Sequence, residues 1–509
     1  MNRNNAPVRN PWYITIFFLT ILAALVLVDS NRFADPDLFC HLYSGREIVE
    51  EQRIPKTDAH SFSVPGGKWI DYEWGARALF YFLYRTTGSG GLVVLRAILC
   101  IAVFSIVFLN ALRLSGSVLI SSLSTILCAV VSHRYFLFRP QLFTFLLLSL
   151  LIFILLKYSK ERMKVFFLLP ILFLIWTNLH GGFPLGLLVF ALFILSEYIE
   201  ERFFQSAIFI VSALATLINP YGMNLWHGIL GTIFGAFTPE ISEWKPVYEF
   251  SFSSMLWFYF FLFVFVLTFL ASREKRLIDL VLFILLSYLS VTKVRFIPLM
   301  AIVLAPILAR YLTGTMERIT ASGRPMMRII HPPASSLNWI VLIFLVFPLI
   351  LKGVQKEIHL SMCIFKSDYF QPVTAVKMLK ENGASGNIMN EYDWGGYIHW
   401  ELPSSRIFVD GRSDTVYPYE TIKEWAYFVN GVGEWEEVLM KYGADSILIR
   451  TQHLVNEKLK GSGRWKLVYY DNICSFYVNI ESSRNANFLK KWFSDSLIIS
   501  EISAKDYKL

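Results

Sequence analysis

Apolar runs recur along this chain at 12–29, 92–113, 117–132, 138–156, 165–179, 183–199, 204–219, 254–271, 277–292, 296–312 and 338–352. A hydrocarbon core needs about 20 apolar residues per helix, and shorter runs serve where aromatic residues flank them or neighbouring helices cover them. The pattern therefore predicts an α-helical polytopic membrane protein of about eleven spans. The first run does not read as a cleaved leader: no small-residue cleavage site follows Val28, and Asp29, Asn31 and Asp35 come next.

Two stretches depart from that pattern. Residues 30–91 form a long aromatic, amphipathic loop. The tail beyond 352 mixes short periods: helix-like Val373–Glu381, then Gly386–Asn390, then a strand Arg406–Val409 ending in Asp410-Gly411-Arg412. A helix Glu434–Tyr442, a strand Ser446–Ile449 and a hairpin of Lys466–Tyr470 with Ser475–Asn479 follow. The expected division is a membrane domain, 1–352, that includes loop 30–91, and a C-terminal α/β domain, 353–509. Residues 313–337, with Gly323, Pro325, Pro332 and Pro333, read as a linker.

Charge orients the spans. With the N-terminus inside, the cytoplasmic segments hold fifteen Lys and Arg residues, including Lys157, Lys160, Arg162 and Lys164 in one loop. The short outer loops hold five: Arg134, Arg139, Lys245, Lys293 and Arg295. Short loops rich in Lys and Arg stay inside, so an odd number of spans puts the tail outside, an N-in, C-out topology. The localisation expected is a bacterial inner membrane, with the first loop and the tail extracytoplasmic.

Composition agrees. AVILMFWYC make up 55% of the 509 residues and charged residues 17%, against roughly 25% charged in a soluble globule. This excludes disorder, a small disulfide scaffold and a cytosolic enzyme. The net charge of +8 is accounted for by the loops, so no nucleic-acid partner is expected. Cys40, Cys100, Cys128, Cys363 and Cys474 lack metal spacing, and a Cys363–Cys474 bridge is left open. No Walker, GxSxG or HExxH motif occurs.

The polar residues that interrupt the apolar runs fall on the outer face of this topology. They are Asp35, Asp37 and His41 after the first span; Trp69, Asp71, Glu73 and Trp74 later in that loop; Arg139-Pro140-Gln141; Asn178-Leu179-His180-Gly181-Gly182; Asn219-Pro220-Tyr221-Gly222; Glu243-Trp244; and Lys293 with Arg295. Ionisable groups at membrane depth are costly and mark function. Carboxylates, histidines and cations gathered on one face suit an anionic ligand carried on a lipid.

Asp35 and Asp37 can act as a base towards a hydroxyl, share a divalent cation (Mg or Mn), or simply cap a helix starting near Leu38. His41 is a ligand, a proton shuttle or an interfacial hydrogen-bonding group. Asp71 and Glu73 line the site or belong to an interfacial aromatic belt. Arg139, Lys293 and Arg295 grip a phosphate or snorkel to headgroups. His180 faces a cavity or stops a helix, and Glu243 is a second acid. In the tail, Trp394 and Tyr397 offer surfaces for sugar stacking, and Asp410 and Arg412 stand at a strand end or pair internally.

These motifs resemble the GT-C glycosyltransferases, in particular their RgtA/B/C/D-like and protein-mannosyltransferase-like branch. The likeness rests on Asp35-Pro36-Asp37 with His41, Leu42 and Gly45; Pro55, Asp58 and Ser61-Phe62-Ser63; Trp69 and Glu73-Trp74; and Arg139-Pro140-Gln141. It continues through Asn178 to Gly181, Asn219 to Gly222, Arg295, Asn390 to Gly396 and Asp410-Gly411-Arg412. The resemblance implies a polyprenyl-phosphate sugar donor, an acidic residue of the first outer loop as catalytic base (Asp35 or Asp37 by position) and transfer with inversion. The acceptor, whether lipid, glycan or protein, is left open. The alternative is a non-enzymatic lipid-linked glycan carrier or envelope polysaccharide assembly factor.

Overall fold

The computed structural model describes residues 16–17, 19–25, 35–157, 160–196, 199–234, 242–321, 371–412 and 415–491. The chain divides into two compact units, 1–33 with 87–360, and 34–86 with 361–509. Most of the first loop thus groups with the tail, where the sequence reading placed it with the spans. The reason is local: residues 34–86 spend their apolar face on the tail's sheet and helices, as set out below.

The first unit is helical. Val118–Ser132, Gln141–Lys157, Leu168–Leu179, Phe183–Ser196, Ile199–Ala215, Phe252–Ala271, Leu277–Thr292 and Ile297–Ala321 fall on expected apolar runs. The run 92–113 lies inside a longer helix, Trp74–Ser115, broken at residue 88. One helix was not expected, Met223–Phe234, whose twelve residues rise only about 18 Å at 1.5 Å each and so fall short of a span. Run 338–352 and most of 12–29 lie outside the described residues, as does Cys363.

Helix starts follow side-chain chemistry. Ser117 accepts from the Ile120 N–H, and Ser251 from the Ser254 N–H, each replacing a partner the first turn lacks. Among the described residues four helices are long and apolar enough to cross a membrane, and five shorter ones are apolar. Ile210, Leu214, Phe263, Leu270 and Ile284 stand more than half exposed along them. Such a surface is an association hazard in water and the solvated face in lipid. This is a multi-pass membrane protein.

The second unit is α/β. Its five strands, β1 (Gly386–Asn390), β2 (Ser405–Ile407), β3 (Ser446–Arg450), β4 (Trp465–Tyr470) and β5 (Cys474–Asn479), lie in the order β2-β1-β3-β5-β4. β1 runs parallel to β2 and β3, while β5 is antiparallel to β3 and β4. The strands and the helices Val373–Glu381 and Trp435–Tyr442 match expectation closely. The helices Gly395–Glu401, Tyr419–Val429 and Val455–Lys460 were not read from sequence, because two are under eight residues and the third is masked by its aromatic run.

The first loop completes this unit. Helix Leu38–Glu51 buries Leu38, Phe39, Leu42, Tyr43 and Ile48, and Phe39 meets Tyr397 edge-on at 4.8 Å. A Cβ on Gly396 would lie 2.5 Å from Cys40 Sγ and 2.8 Å from its backbone nitrogen, so only glycine allows this approach. Residues 60–62 pair with the outer edge of β2: Phe62 N–H donates to Ile407 O, and Ile407 N–H to His60 O. An edge that would otherwise invite foreign strands is closed by the chain's own loop.

Candidate functional site

Asp35-Pro36-Asp37 forms the turn that opens helix Leu38–Glu51. Asp35 Oδ1 accepts from the Asp37 N–H at 2.9 Å, and Asp35 O from the Leu38 N–H at 3.1 Å. Asp35 is buried and Asp37 half-buried. The helix-opening role expected for this pair is therefore present, carried by Asp35 rather than by the N-cap residue Asp37, which makes no side-chain cap bond.

Behind the turn lies a buried polar network built from both sequence segments of the α/β unit. The Arg412 guanidinium donates from Nε to both Asp410 oxygens (2.9 and 3.0 Å), from Nη1 to Asp58 Oδ1 (2.5 Å) and from Nη2 to the Tyr417 hydroxyl (3.0 Å). Tyr43 donates to Asp410 Oδ2 at 2.6 Å. The side chains of Arg412, Asp58 and Asp410 are wholly inaccessible. Burial alone pushes the Asp58 and Asp410 carboxyls up, but Arg412 and the hydrogen bonds around them outweigh it and hold both below the usual carboxylate range.

A second buried cation, Arg77, lies 3.4 Å from Asp71 and 3.1 Å from Glu73, and Glu73 also faces His41 Nδ1 at 3.8 Å. The indole of Trp69 lies beneath both guanidinium groups, 5.1 Å from Arg412 and 5.7 Å from Arg77. Burial raises the Asp71 carboxyl, Arg77 opposes this, Glu73 adds to it, and the result is about 6.

A raised acid favours the fold when protonated, so this contribution is complete below the unfolded value of 3.8 and gone above about 6. The thermal stability of the purified wild-type chain, measured against that of Asp71→Asn, is expected to fall across that window. Parallel pH profiles for the two proteins would refute it.

Trp394 is fully buried, with Arg450 over its ring at 5.1 Å, and Tyr397 is buried against Phe39. Neither presents the stacking surface read from sequence, because Gly396 lets this segment close on helix Leu38–Glu51 and Gly395 lets it close on Val409 and Asp410. Likewise Asp410 and Arg412 turn on each other and not outward. The Asp-Gly-Arg spacing allows this, since Arg412 N–H also donates to Asp410 Oδ1.

The polar surface of the sheet is elsewhere, at the carboxyl ends of β1 and β3. The connection leaving β1 runs to β2 on one flank and that leaving β3 to β4 on the other, the place where open α/β sheets form a crevice. Glu391 Oε2 meets His453 Nε2 at 2.6 Å, and Arg450 Nη2 meets Asp393 Oδ2 at 3.1 Å. Burial raises the Asp393 carboxyl, Arg450 opposes, and Glu391 and Asp35 raise it further, which puts the Asp35 turn within electrostatic reach of this crevice. Arg450 and His453 escaped the sequence reading. Their signal was two basic groups three residues apart, just past a buried strand.

The helical unit gathers its own set. Arg139 Nη1 pairs with Glu243 Oε1 at 2.7 Å. Next to Glu243, the Trp244 indole carries Arg295 at 4.1 Å and Lys293 at 4.6 Å, in a loop pinned by the Val294 N–H to Lys245 O. No carboxylate pairs with Lys293 or Arg295 among the described residues. Burial, then the neighbouring Arg295, lowers the Lys293 ammonium from its ordinary value.

His180 stands in a different arrangement: Gly182 N–H donates to its Nδ1 at 3.1 Å, and the Thr144 hydroxyl lies 2.8 Å from the same nitrogen. Nδ1 therefore accepts, which leaves the proton on Nε2. Asn219 terminates its helix, its Oδ1 accepting from the Tyr221 N–H.

Among the described residues no three His, Cys, Asp or Glu side chains are grouped to hold a metal ion. No family model matches the sequence, and no curated protein matches it.

Solved structures do. The archaeal oligosaccharyltransferase AglB of Archaeoglobus fulgidus, in complex with an inhibitory peptide and a dolichol-phosphate, matches with a TM-score of 0.58 at 10% identity, over 92% of this chain and 74% of its own. A further structure of the Archaeoglobus fulgidus oligosaccharyltransferase, with Zn and sulfate, gives 0.52 at 10% identity over 91% and 73%. ArnT from Cupriavidus metallidurans in the apo state gives 0.50 at 11% identity over 92% and 98%. At such identities the likeness is one of fold. The chain has the fold of the GT-C-type polytopic membrane glycosyltransferases, to which the oligosaccharyltransferase AglB and ArnT belong.

Proposed function

We propose that this chain is a membrane glycosyltransferase that moves a sugar from a polyprenyl-phosphate donor to an extracytoplasmic acceptor hydroxyl. It would span a bacterial plasma membrane about eleven times, N-terminus inside, with the α/β unit outside. The observation that carries this reading is the acidic turn Asp35–Asp37, rigidly held in a chain with the GT-C fold.

Asp37, the more exposed of the pair, is the base. It takes the acceptor's proton as the acceptor oxygen bonds to the sugar's anomeric carbon and the bond to the donor's phosphate oxygen breaks. The sugar passes through an oxocarbenium-like state, as in glycoside hydrolysis. Asp35, turned inward, holds Asp37 through its backbone N–H. In the helical unit, Lys293 and Arg295 are assigned, separately from the base, to binding of a lipid phosphate. Arg139 and Glu243 brace that loop. The pairs Glu391–His453 and Asp393–Arg450 are the surface assigned to the acceptor. His41, Asp71, Glu73, Trp394, Asp410 and Arg412 support from beneath, and His180 holds a helix end.

Among the described residues no third His, Cys, Asp or Glu joins Asp35 and Asp37 in a metal-holding group, and two carboxylates suit an oxygen-preferring Mg or Mn ion completed by water and phosphate better than a zinc cage. Asp35 and Asp37 would hold such an ion, and it would offset phosphate charge.

Two measurements test the reading. Mass spectrometry of a deletion strain is expected to find an unspent lipid-linked sugar, which names the donor. Lys293→Gln and Arg295→Gln are each expected to weaken binding of undecaprenyl phosphate about 10-fold, the scale of one charge-assisted hydrogen bond. Undiminished binding in the double variant would remove the phosphate assignment. Ligand binding without sugar consumption by the wild type would favour the carrier reading.

A further inference from the structure

We infer that Arg412 is a positioning residue for the proposed base, acting through the helix that Asp37 begins; this rests on the function proposed above. Arg412 and Asp410 flank Gly411, and the three do different work. Asp410, locked by Arg412, receives the hydroxyl of Tyr43 at 2.6 Å. Tyr43 sits on the second turn of helix Leu38–Glu51, six residues after Asp37. Arg412 itself reaches Asp58, which is tied in turn to Ser61 beside the pairing with β2.

Gly411 receives the base: a Cβ there would run into Asp37 Oδ1. The tripeptide therefore holds the helix at Tyr43 through Asp410, meets the carboxylate at Gly411, and ties into the loop beyond the helix through Arg412 and Asp58. Tyr43, Asp58, Asp410, Arg412 and Tyr417 are all out of solvent, so their geometry is not averaged by water. Only a planar fork can serve Asp410, Asp58 and Tyr417 at once. A lysine would bring the charge without the fork. The tail, on this view, aims the first loop's carboxylate.

The test uses the full-length chain. Turnover is read as the rate at which induced expression clears the lipid-linked sugar accumulated in a deletion strain. Folding is read from thermal unfolding of the purified chain, and the donor side from binding of undecaprenyl phosphate. Tyr43→Phe keeps the ring and removes one hydrogen bond to a carboxylate that Arg412 still pairs. It is expected to unfold within a few degrees of wild type, to bind undecaprenyl phosphate within about two-fold, and to turn over about 10-fold more slowly. Arg412→Lys is expected to lose about 100-fold in turnover with binding retained, the scale of an ångström's misplacement of a reacting group.

Normal turnover in a folded Tyr43→Phe, with Asp37→Asn inactive, overturns the positioning role and leaves the base assignment standing. So does loss of folding and binding together in both variants, which would make the network merely structural. Normal turnover in Asp37→Asn removes the base and the positioning role with it.

Discussion

Arg412→Met is expected to cost the α/β unit about 3–5 kcal/mol, the range for removing one partner of a buried ion pair. Two carboxylates, Asp410 and Asp58, lose their cation inside a dry interior, and the hydroxyls of Tyr43 and Tyr417 cannot replace it. That is a large share of the about 5–15 kcal/mol that holds a typical domain folded. The variant should show early protease cleavage within 371–491 and a lowered first unfolding transition. Adding Asp58→Asn and Asp410→Asn removes the stranded charges and should restore part of the loss. An Arg412→Met chain as resistant as wild type would show that the network contributes little.

The second large effect concerns chemistry. Asp37→Asn keeps the size of the side chain and the turn set by Asp35, so folding should be unchanged within about 0.5 kcal/mol, as for other substitutions outside the core. It removes the proton acceptor, and turnover should fall by about 10²–10⁴-fold, the contribution of a positioned general base. The unspent lipid-linked sugar should then accumulate as in the deletion strain. Asp35→Asn should also abolish transfer, through the loss of an anionic acceptor for the Asp37 N–H. Full activity in both variants would end the base assignment.

Particular residues show where the sequence was legible. Helix positions in the membrane unit follow from apolar run length, since each residue's burial in lipid is decided by its own chemistry. Short runs interrupted by glycine, such as Met223–Phe234, fall below that resolution. The strands of the tail follow from alternation and turn residues. Asp37 stood out because carboxylates beside apolar sequence are expensive, and Asp410 because it follows a strand. Their roles diverge for a reason the sequence does not carry: Asp410 finds Arg412 two residues away and Tyr43 across 367 positions, whereas Asp37 is left at the rim.

Trp394 illustrates the opposite error. A tryptophan before two glycines is read as a displayed ring when its neighbours are unknown, yet Gly396 serves to admit helix Leu38–Glu51, Gly395 to admit Val409 and Asp410, and the ring is buried. Arg77, Arg450 and His453 went unread because a lone basic residue in a helix or after a strand has no local signature. Each gains its meaning from a carboxylate on another element.

By itself, then, the order of residues determined the membrane class, most of the described helices, the α/β character of the tail and the set of costly polar groups. These depend on periodicity and transfer energy, which are local. Tertiary structure alone decided that residues 34–86 belong with the tail, that the Asp-Gly-Arg motif faces inward, and which carboxylates pair and which stay at the surface. Those outcomes turn on contacts between segments more than 300 residues apart, and burial of a charge is settled only when its partner arrives.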